Sequence, residues 1–539
     1  MKKSQVLSVV AVMSAMSLTG CGKKPNSDVV IDDSKAQLLI YTFEGGVGDQ
    51  WLKNAAKRFE EKNKDRTDFE EGKVGVQFQF KTDRGCDGNL LDNAELTHDI
   101  YFTENVNYYG LTNQHKLADI TDILTTPNSE DDGKTIISKI NSNLVDFMNR
   151  GDEYEDKFYA VPFYDCLYGL IYDKDLFTDK SFYMKDDGTF TNVQSEFGTG
   201  PNGVKGDWDD GLPKTYDQFT SMMTRMKLKE TTPFTYSSGN STYYTSRALT
   251  SYWSDDEGYE DANLNYTFNG KAHHIVKSIN DGVVETEEVD ITKDNGYLLR
   301  KQAGLYNALS FARDVLCSSS DNYRAYPSNY DVQSAFINNK RIGGSNKPIA
   351  MMFEGTWWEN EAAPAFDEAK SYGDTNFHYG FMPIPKSDDS KIGDATFINL
   401  NESFGFINAN CKNIKLAKEF FSFLHTDEEL RAFTFQTNMT RGLSYTFGNS
   451  DLSSLSSYAR DLISIKESEH VKIVYPYSGL DFFVNNGQIF SVNSWTWGTK
   501  NNTDNPIIKF IDNKSLSAET FFNDHASVYS AEDWKRIVK

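Results

Sequence analysis

Apolar residues recur along the chain in patterns that predict strands alternating with helices. Leu38 to Tyr41 is a short apolar run, and after a glycine-rich loop Leu52, Ala55 and Phe59 have helical spacing. Residues 74–80 alternate as in a half-buried strand, and Asp99 to Phe102 predicts a third strand. Such alternation favours an α/β fold with a parallel sheet, whose functional loops lie at the carboxyl ends of the strands.

Further apolar segments extend this pattern through the rest of the chain. Residues 158–176 are mostly apolar but contain Pro162, which predicts a crossing segment followed by a new strand. Thr215 to Gln218 forms a capping-box sequence before a helix-spaced apolar face, and Ile349 to Phe353 predicts a strand. Leu416, Phe420 and Leu424 define one face of another helix.

The intervening polar segments are predicted to be loops. Asp186 to Gly211 is rich in Gly, Asp and Asn and is interpreted as a surface excursion, and Asp255 to Asp261 and Asn280 to Asp294 as acidic insertions. His273 and His274 have no acidic or cysteine partner in zinc spacing, so we expect them in a solvated loop.

Composition narrows the class of protein. The formal net charge of −23 repels the phosphate backbone and argues against nucleic-acid binding. The 37 Phe, 29 Tyr and 8 Trp residues exclude a disordered acidic chain, because such chains lack large apolar side chains. The rings must therefore fill cores or line a binding surface.

The N-terminus has the pattern of a lipoprotein export signal. Lys2 and Lys3 precede an apolar run from Val6 to Leu18, which as a helix reaches about 20 Å and is too short for the roughly 30 Å hydrocarbon core. The run ends in Leu18-Thr19-Gly20-Cys21, which resembles the lipobox of bacterial lipoproteins. This resemblance implies a signal peptide at residues 1–21 and lipidation of Cys21.

Little in the rest of the sequence points to a cofactor or a disulfide. Residues 22–36 are predicted to be a flexible stalk. The remaining cysteines are expected to be free, because they are far apart and in no metal-binding spacing; they are Cys86, Cys166, Cys317 and Cys411. No cofactor is expected, and a structural calcium ion in the 207–210 turn is a minor alternative.

Four motifs in order resemble a known family. They resemble, in turn, "L-x-Y-N-K-D-L-F", "P-x-T-W-D-E-F", "A-M-x-x-x-G-S-W" and "Y-G-V-x-P-x-P", and they are Gly169–Phe177, Leu212–Phe219, Ala350–Trp358 and Tyr379–Pro385. The chain is similar to the family 1 extracellular solute-binding proteins of bacterial ABC importers over about 400 residues. It departs from them at 399–405 and through its acidic insertions, which shape any cleft.

The resemblance implies a periplasmic-binding-protein-like α/β fold, with two lobes joined by crossing hinge strands around a ligand cleft. We expect residues 37–163 and 395–438 to form the first lobe, and residues 164–394 and 439–539 the second. Ligand contacts on both lobes would favour the closed population, which a permease then recognises.

Candidate ligand residues are aromatic and polar side chains at strand ends and crossings. Trp357 corresponds to the family's ligand-stacking aromatic. The other candidates, each with core packing, capping or hinge support as its alternative role, are Phe43, Glu44, Glu104, Tyr164, Asp165, Tyr244, Trp358 and Arg441. Weaker aromatic candidates are Tyr243, Trp495 and Trp497. No catalytic residue and no metal ligand is assigned.

The leading hypothesis is a monomeric, non-enzymatic lipoprotein on the extracellular face of the bacterial membrane. It would capture a carbohydrate, expected to be an oligosaccharide, and deliver it to ABC permease subunits coupled to a cytoplasmic ATPase. Two alternatives stay open: a surface glycan adhesin without transport, and a tethered glycoside hydrolase with paired acids.

Overall fold

The computed structural model describes residues 30–150, 156–237, 241–317, 326–342, 347–400, 403–500 and 505–539. Cys21, the predicted signal peptide and most of the predicted stalk lie outside these ranges, as does the side chain of Tyr243. Within them, no helix is both long and apolar enough to cross a bilayer.

Strands alternate with helices from the first described residues onward, as predicted. In chain order the strands are β1 Ala36–Phe43, β2 Val76–Asp83, β3 Ile100–Thr103, β4 Ala160–Pro162, β5 Tyr168–Asp173, β6 Tyr183–Met184, β7 Phe190–Thr191, β8 Thr232–Thr235, β9 Gly270–Asn280, β10 Val283–Ile291, β11 Ile349–Gly355, β12 Tyr379–Met382, β13 Ala395–Ile398, β14 Phe404–Ile407 and β15 Val471–Val474.

The α-helices pack on the sheets and form most of the C-terminal part. They are α1 Gln50–Lys62, α2 Gly88–Leu91, α3 Tyr108–Asn113, α4 Thr121–Thr125, α5 Ser142–Met148, α6 Lys174–Lys180, α7 Tyr216–Leu228, α8 Ser241–Glu257, α9 Tyr259–Thr267, α10 Ala303–Phe311, α11 Asn329–Ile342, α12 Trp358–Glu361, α13 Ala363–Ser371, α14 Ile414–Phe423, α15 Asp427–Thr437, α16 Ser457–Glu467, α17 Asp481–Asn485, α18 Gly487–Phe490, α19 Val492–Trp497, α20 Pro506–Asp512, α21 Ala518–Ala526 and α22 Ala531–Ile537.

The first lobe is built on a five-stranded sheet in the order β2-β1-β3-β14-β4. β1 pairs in parallel with β2 and β3, whereas β14 runs antiparallel to β3 and β4. Helix α1 packs on this sheet because Leu52, Ala55 and Phe59 lie on one buried face, as their spacing predicts. The carboxyl ends of β1 and β3 therefore meet at one sheet edge.

The second lobe is built on a four-stranded sheet in the order β12-β5-β11-β8. Every residue of β5 and of β11 is buried, because both strands lie inside the sheet and are covered on both faces. Thr215 caps α7 by accepting a hydrogen bond from the Gln218 N–H, so the predicted helix start is confirmed. These two α/β lobes confirm the predicted fold class.

Three chain segments cross between the sheets and are joined by hydrogen bonds. The Phe163 N–H donates to Ser403 O, the Leu400 N–H to Cys166 O, and Tyr164 forms an antiparallel bridge with Arg441. β13, from the range predicted for the first lobe, pairs in parallel with β15 from the range predicted for the second. This pairing adds another connection near the crossings.

Two segments predicted to be acidic insertions have regular structure instead. Asp255 to Asp261 spans the end of α8 and the start of α9, and most of Asn280 to Asp294 is strand β10, paired with β9 as a hairpin. The prediction of a solvated loop for His273 and His274 is also wrong, since both lie in β9. The sequence pattern does not predict these strands, because their solvent-exposed positions carry charged side chains that interrupt the apolar alternation.

Candidate functional site

Trp357 lies between the end of β11 and the start of α12, as the strand-end argument predicts. Only 6% of its surface is exposed. Its ring meets Tyr168 of β5 edge-on, with ring centroids 5.0 Å apart, and its centroid lies 6.4 Å from that of Tyr244 on α8. Elements distant in the sequence therefore converge on one aromatic corner of the second lobe.

The loop after β1 brings the first lobe against this corner. Gly46 has a left-handed φ of +92°, and a Cβ placed there would lie 3.6 Å from Trp357 Cδ1 and 3.4 Å from Glu361 Cβ. A longer side chain would enter the space of Trp357 and Glu361, so glycine permits the close approach of the backbone. The two lobes thus meet beside Trp357.

Glu104 extends the junction from the end of β3 in the first lobe. A Cβ at Gly45 would lie 2.9 Å from Glu104 Oε1, so this carboxyl group sits against the same glycine loop. Burial raises the pKa of Glu104 to about 8; the positive charge of Arg247 opposes this rise, and the negative charges of Asp87 and Glu361 add to it. Glu104 is therefore largely protonated at neutral pH and can donate as well as accept a hydrogen bond.

Two carboxyl groups of the second lobe complete the polar side of the site. Glu354, on β11, is buried, and its Oε1 has no hydrogen-bond partner among the described residues. Burial and the nearby Glu361 raise the pKa of Glu354 well above its usual value. Glu361 Oε2 accepts a hydrogen bond of 3.0 Å from Gln333 Nε2 on α11.

Arg247 and Tyr244, one turn of α8 apart, add a cation and a phenol. Arg247 Nη1 donates to Leu400 O at 2.7 Å, and its guanidinium carbon lies 5.4 Å from the ring centroid of Tyr168. The Tyr244 hydroxyl accepts a 2.6 Å hydrogen bond from Asn329 Nδ2. Together with the three carboxyl groups, these side chains place fixed donors and acceptors beside aromatic rings.

The structure brings together four of the predicted site residues and separates the others. Phe43, Glu104, Tyr244 and Trp357 lie at or beside the junction; the ring of Phe43 packs against Gly45. Glu44 follows Phe43, but its side chain is exposed and its N–H donates to Asp83 O across the sheet. Ligand contact by these residues remains a prediction.

Trp358 is directed away from the junction into the core of the second lobe. It is fully buried and packs against the rings of Phe336, Phe366, Tyr379 and Tyr458. The reason is geometric: successive residues at a helix start project about 100° apart, so two adjacent tryptophans cannot face the same surface.

Arg441 is also directed into a core. It is fully buried, with its guanidinium carbon 5.4 to 5.5 Å from the ring centroids of Trp51, Phe163 and Phe433. Its Nε donates to Phe163 O, and its Nη2 lies 3.0 Å from His425 Nε2. The aromatic cage and these hydrogen bonds give Arg441 a structural role in the first lobe.

Tyr164 and Asp165 support the crossing. Asp165 Oδ2 accepts hydrogen bonds from Thr440 Oγ1 at 2.7 Å and from Lys466 Nζ at 2.9 Å. Both residues are buried. These contacts hold the crossing segments together, and ligand contact by Tyr164 or Asp165 stays a prediction.

The second-lobe aromatics and the free cysteines lie apart from the junction. Trp495 and Trp497 are buried and donate to Asn265 Oδ1 and Thr250 Oγ1. Cys86, Cys166, Cys317 and Cys411 form no disulfide among the described residues. In the 207–210 turn, Asp209 Oδ2 accepts the Asn202 N–H and Asp210 Oδ2 the Gly206 N–H, so these carboxylates stabilise their own loop.

Several residues at the junction were not found from the sequence. Tyr168, Glu354 and Glu361 lie within or beside the quoted motifs, so their positions at strand and helix ends were a usable signal. Arg247 and Gln333 lie in the middle of helices without a motif, and only the packing of α8 and α11 against β11 brings them to the site.

Comparisons with known proteins agree with this architecture. The profile of the family described as "Bacterial extracellular solute-binding protein" matches residues 44–430. No curated protein sequence matches the chain.

Solved structures share the fold at low identity. The apo form of RafE from Streptococcus pneumoniae has 13% identity and a TM-score of 0.53, covering 94% of this chain and 99% of RafE. A protein from the xylan-utilising bacterium Caldanaerobius polysaccharolyticus has 13% identity and a TM-score of 0.54, with coverage of 92% and 100%. AcbH, a bacterial solute receptor with a preference for β-D-galactopyranose, has 14% identity and a TM-score of 0.50, with coverage of 94% and 99%.

Proposed function

Because the chain belongs to the bacterial extracellular solute-binding proteins, we propose that it captures a carbohydrate between its lobes and delivers it to an ABC importer. The observation that carries this proposal is the junction around Trp357, where aromatic rings and fixed polar groups from both lobes meet. A role in binding a solute agrees with the description of the family.

The chemistry of the junction suits a sugar. A pyranose ring has apolar C–H faces that pack on aromatic rings and hydroxyl groups that need fixed donors and acceptors. Trp357, Tyr168 and Tyr244 supply ring surface, while Glu104, Glu354 and Arg247 supply polar groups. Solved structures of the same fold include a galactopyranose receptor and a protein of xylan utilisation, which supports a carbohydrate ligand.

Closure between the lobes provides the signal for delivery. Gly46 and Glu104 belong to the first lobe, and Trp357 and Glu361 to the second, so a ligand that touches both sets favours the closed population. The permease would recognise that closed form. The large number of aromatic residues favours an oligosaccharide as the ligand. The predicted lipid on Cys21 would hold the protein at the extracellular face of the membrane.

Calorimetry on protein lacking residues 1–21, over a panel of mono- and oligosaccharides, tests the ligand. We expect saturable binding of at least one sugar and a loss of about 30-fold in affinity for Trp357→Ala, as for a central contact residue. Trp358→Phe is the matched control and should bind as wild type, because Trp358 lies in the core. No binding across the panel, or equal loss in both variants, would overturn the proposal.

Uptake experiments separate import from the other functions. Cells expressing the protein should accumulate a labelled form of the sugar, and Cys21→Ser should release the protein from the membrane fraction. Surface retention of the glycan without uptake would indicate an adhesin. Cleavage of the labelled oligosaccharide by purified protein would indicate a hydrolase.

A further inference from the structure

A second polar cluster lies at the opposite end of α8 from Tyr244 and Arg247. It is formed by Glu257, the last residue of α8, Asp261 in the first turn of α9, and His274 in β9. Gly258, with φ at +82°, separates the two helices and lets them bend around this point. The cluster therefore joins the helix junction to the β9–β10 hairpin.

The three side chains bring one possible ligand atom each close together. His274 Nδ1 lies 3.4 Å from Asp261 Oδ2 and 3.8 Å from Glu257 Oε2. All three donor atoms lie within 4.8 Å of one another, and in the described part of the chain this is the single such group of three. Ligand atoms at 2.0 to 2.2 Å from a tetrahedral zinc ion are roughly 3.4 Å apart, so the observed spacing suits a bound ion.

Glu257 supplies an independent sign of a missing partner. Glu257 is 93% buried. One carboxylate oxygen, Oε1, accepts a hydrogen bond from the Gly304 N–H, whereas the other, Oε2, has no hydrogen-bond donor among the described residues. A buried carboxylate oxygen without a partner is costly. This oxygen faces His274 Nδ1 at 3.8 Å, which is too long for a normal hydrogen bond.

A protonated histidine alone does not account for the geometry. Charge-assisted N–H···O⁻ hydrogen bonds are about 2.7 to 2.9 Å long, whereas both His274 contacts are longer. Nearby, His273 donates its N–H to Asp261 Oδ2 at 3.0 Å and places Nδ1 2.9 Å from Oδ1, which fixes the orientation of this carboxylate. Such outer contacts are typical around ligating carboxylates.

We propose that Glu257, Asp261 and His274 bind a divalent transition-metal ion, with Zn²⁺ as the ion that suits their donor set. One imidazole and two carboxylates favour zinc over calcium, which prefers a shell of oxygen ligands. The two carboxylates balance the charge of the ion, and the positive charge of Lys391 acts on Glu257 in the opposite direction. The side chain of His274 is 40% exposed, so solvent reaches the site and can supply a fourth ligand.

The ion would stabilise the second lobe and take no part in ligand capture. It would tie the α8–α9 junction to the hairpin, at the far end of α8 from the cleft. Zinc binding is therefore independent of the proposed sugar binding, and the two can fail separately.

Zinc titration of untagged, chelator-treated protein by calorimetry, without sugar, tests the site. We expect one saturable site in wild type, a loss of at least tenfold in affinity for His274→Gln, and a smaller loss for His273→Gln, which removes an orienting contact. X-ray absorption at the zinc edge should give nitrogen and oxygen ligands at about 2.0 to 2.2 Å.

His470→Gln is the matched control. His470 Nδ1 lies 3.0 Å from Asp394 Oδ1 in an exposed pair, so this variant removes a surface histidine–carboxylate contact outside the cluster. It should bind zinc as wild type. The proposal is overturned if wild type shows no saturable site, or if His274→Gln, folded by circular dichroism, retains full affinity.

Discussion

At the residue scale, the adjacent tryptophans show how one position in the chain decides a side chain's role. Trp357 lies between strand β11 and helix α12, beside the lobe junction, whereas Trp358 begins α12 and fills the core. The two residues are of the same type and adjacent. The turn between strand and helix places one at a candidate binding surface and the other in the core.

Trp358→Ala is expected to lower the free energy of unfolding by about 3–5 kcal/mol, because it leaves a cavity among four aromatic rings. Urea denaturation measures this change. Trp358→Phe should cost clearly less, since it retains a ring. If the alanine variant were as stable as wild type, Trp358 would not be a core residue.

Glu104 should make stability depend on pH. Its pKa is about 8 in the folded protein against an ordinary value near 4.5, so between these values the folded state binds more protons than the unfolded state. The protonated carboxyl group thus favours folding fully below pH 4.5, and this contribution is lost as pH rises through 8. Glu104→Gln should flatten the fall in thermal midpoint across this window, measured by calorimetric scans.

The sugar affinity of Glu104→Gln provides a second readout. Glutamine retains a donor and an acceptor but cannot ionise, so binding should persist above pH 8 where wild type carries a charge. A wild type and variant with the same pH profile for unfolding would contradict a raised pKa at Glu104.

At the element scale, the crossings depend on a small set of buried contacts. Asp165 receives hydrogen bonds from Thr440 and Lys466, and Lys466 Nζ also donates to Arg441 O at 2.8 Å. One carboxylate and one ammonium group thus connect the first crossing, the return crossing and helix α16. In the proposed lobe closure, these segments would form the hinge.

Asp165→Ala is expected to cost about 3–5 kcal/mol of folding free energy, because it leaves Lys466 without its anionic partner in a buried place. The control is Asp122→Ala, which breaks the more exposed 2.7 Å pair with Lys418 and should cost less than about 1 kcal/mol. Denaturation curves measure the free energy of unfolding of both variants. Equal losses in the two would show that Asp165 contributes no more than an exposed ion pair.

At the scale of the whole molecule, the lobes are joined by segments far apart in the sequence. The first sheet takes β14 from beyond residue 400, and the second sheet pairs β5 with β11 and β12. Each sheet is thus completed by a strand from a later part of the chain. The two lobes also contact each other at the glycine loop after β1.

Replacing Gly46 should hold the lobes apart. Gly46→Leu would direct a side chain toward Trp357 and Glu361. Gly48→Leu also places leucine at a left-handed φ, of +67°, but a Cβ there has nothing within 4 Å. We expect Gly46→Leu to have a larger radius of gyration with saturating sugar, by small-angle scattering, and a weaker affinity than Gly48→Leu. Identical behaviour of the two variants would show that this contact does not limit closure.

The sequence by itself determined the α/β class, the buried face of α1, the start of α7 and the place of Trp357 after a strand, because these follow from local periodicity, capping and family motifs. The tertiary structure decided which residues share a surface. It buried the side chains of Trp358 and Arg441 in cores and brought Arg247, Glu354 and Glu361 to the junction. It also showed that the acidic segments have regular secondary structure. It also gathered Glu257, Asp261 and His274. Such contacts depend on how elements distant in the chain pack, and local sequence does not encode those distances.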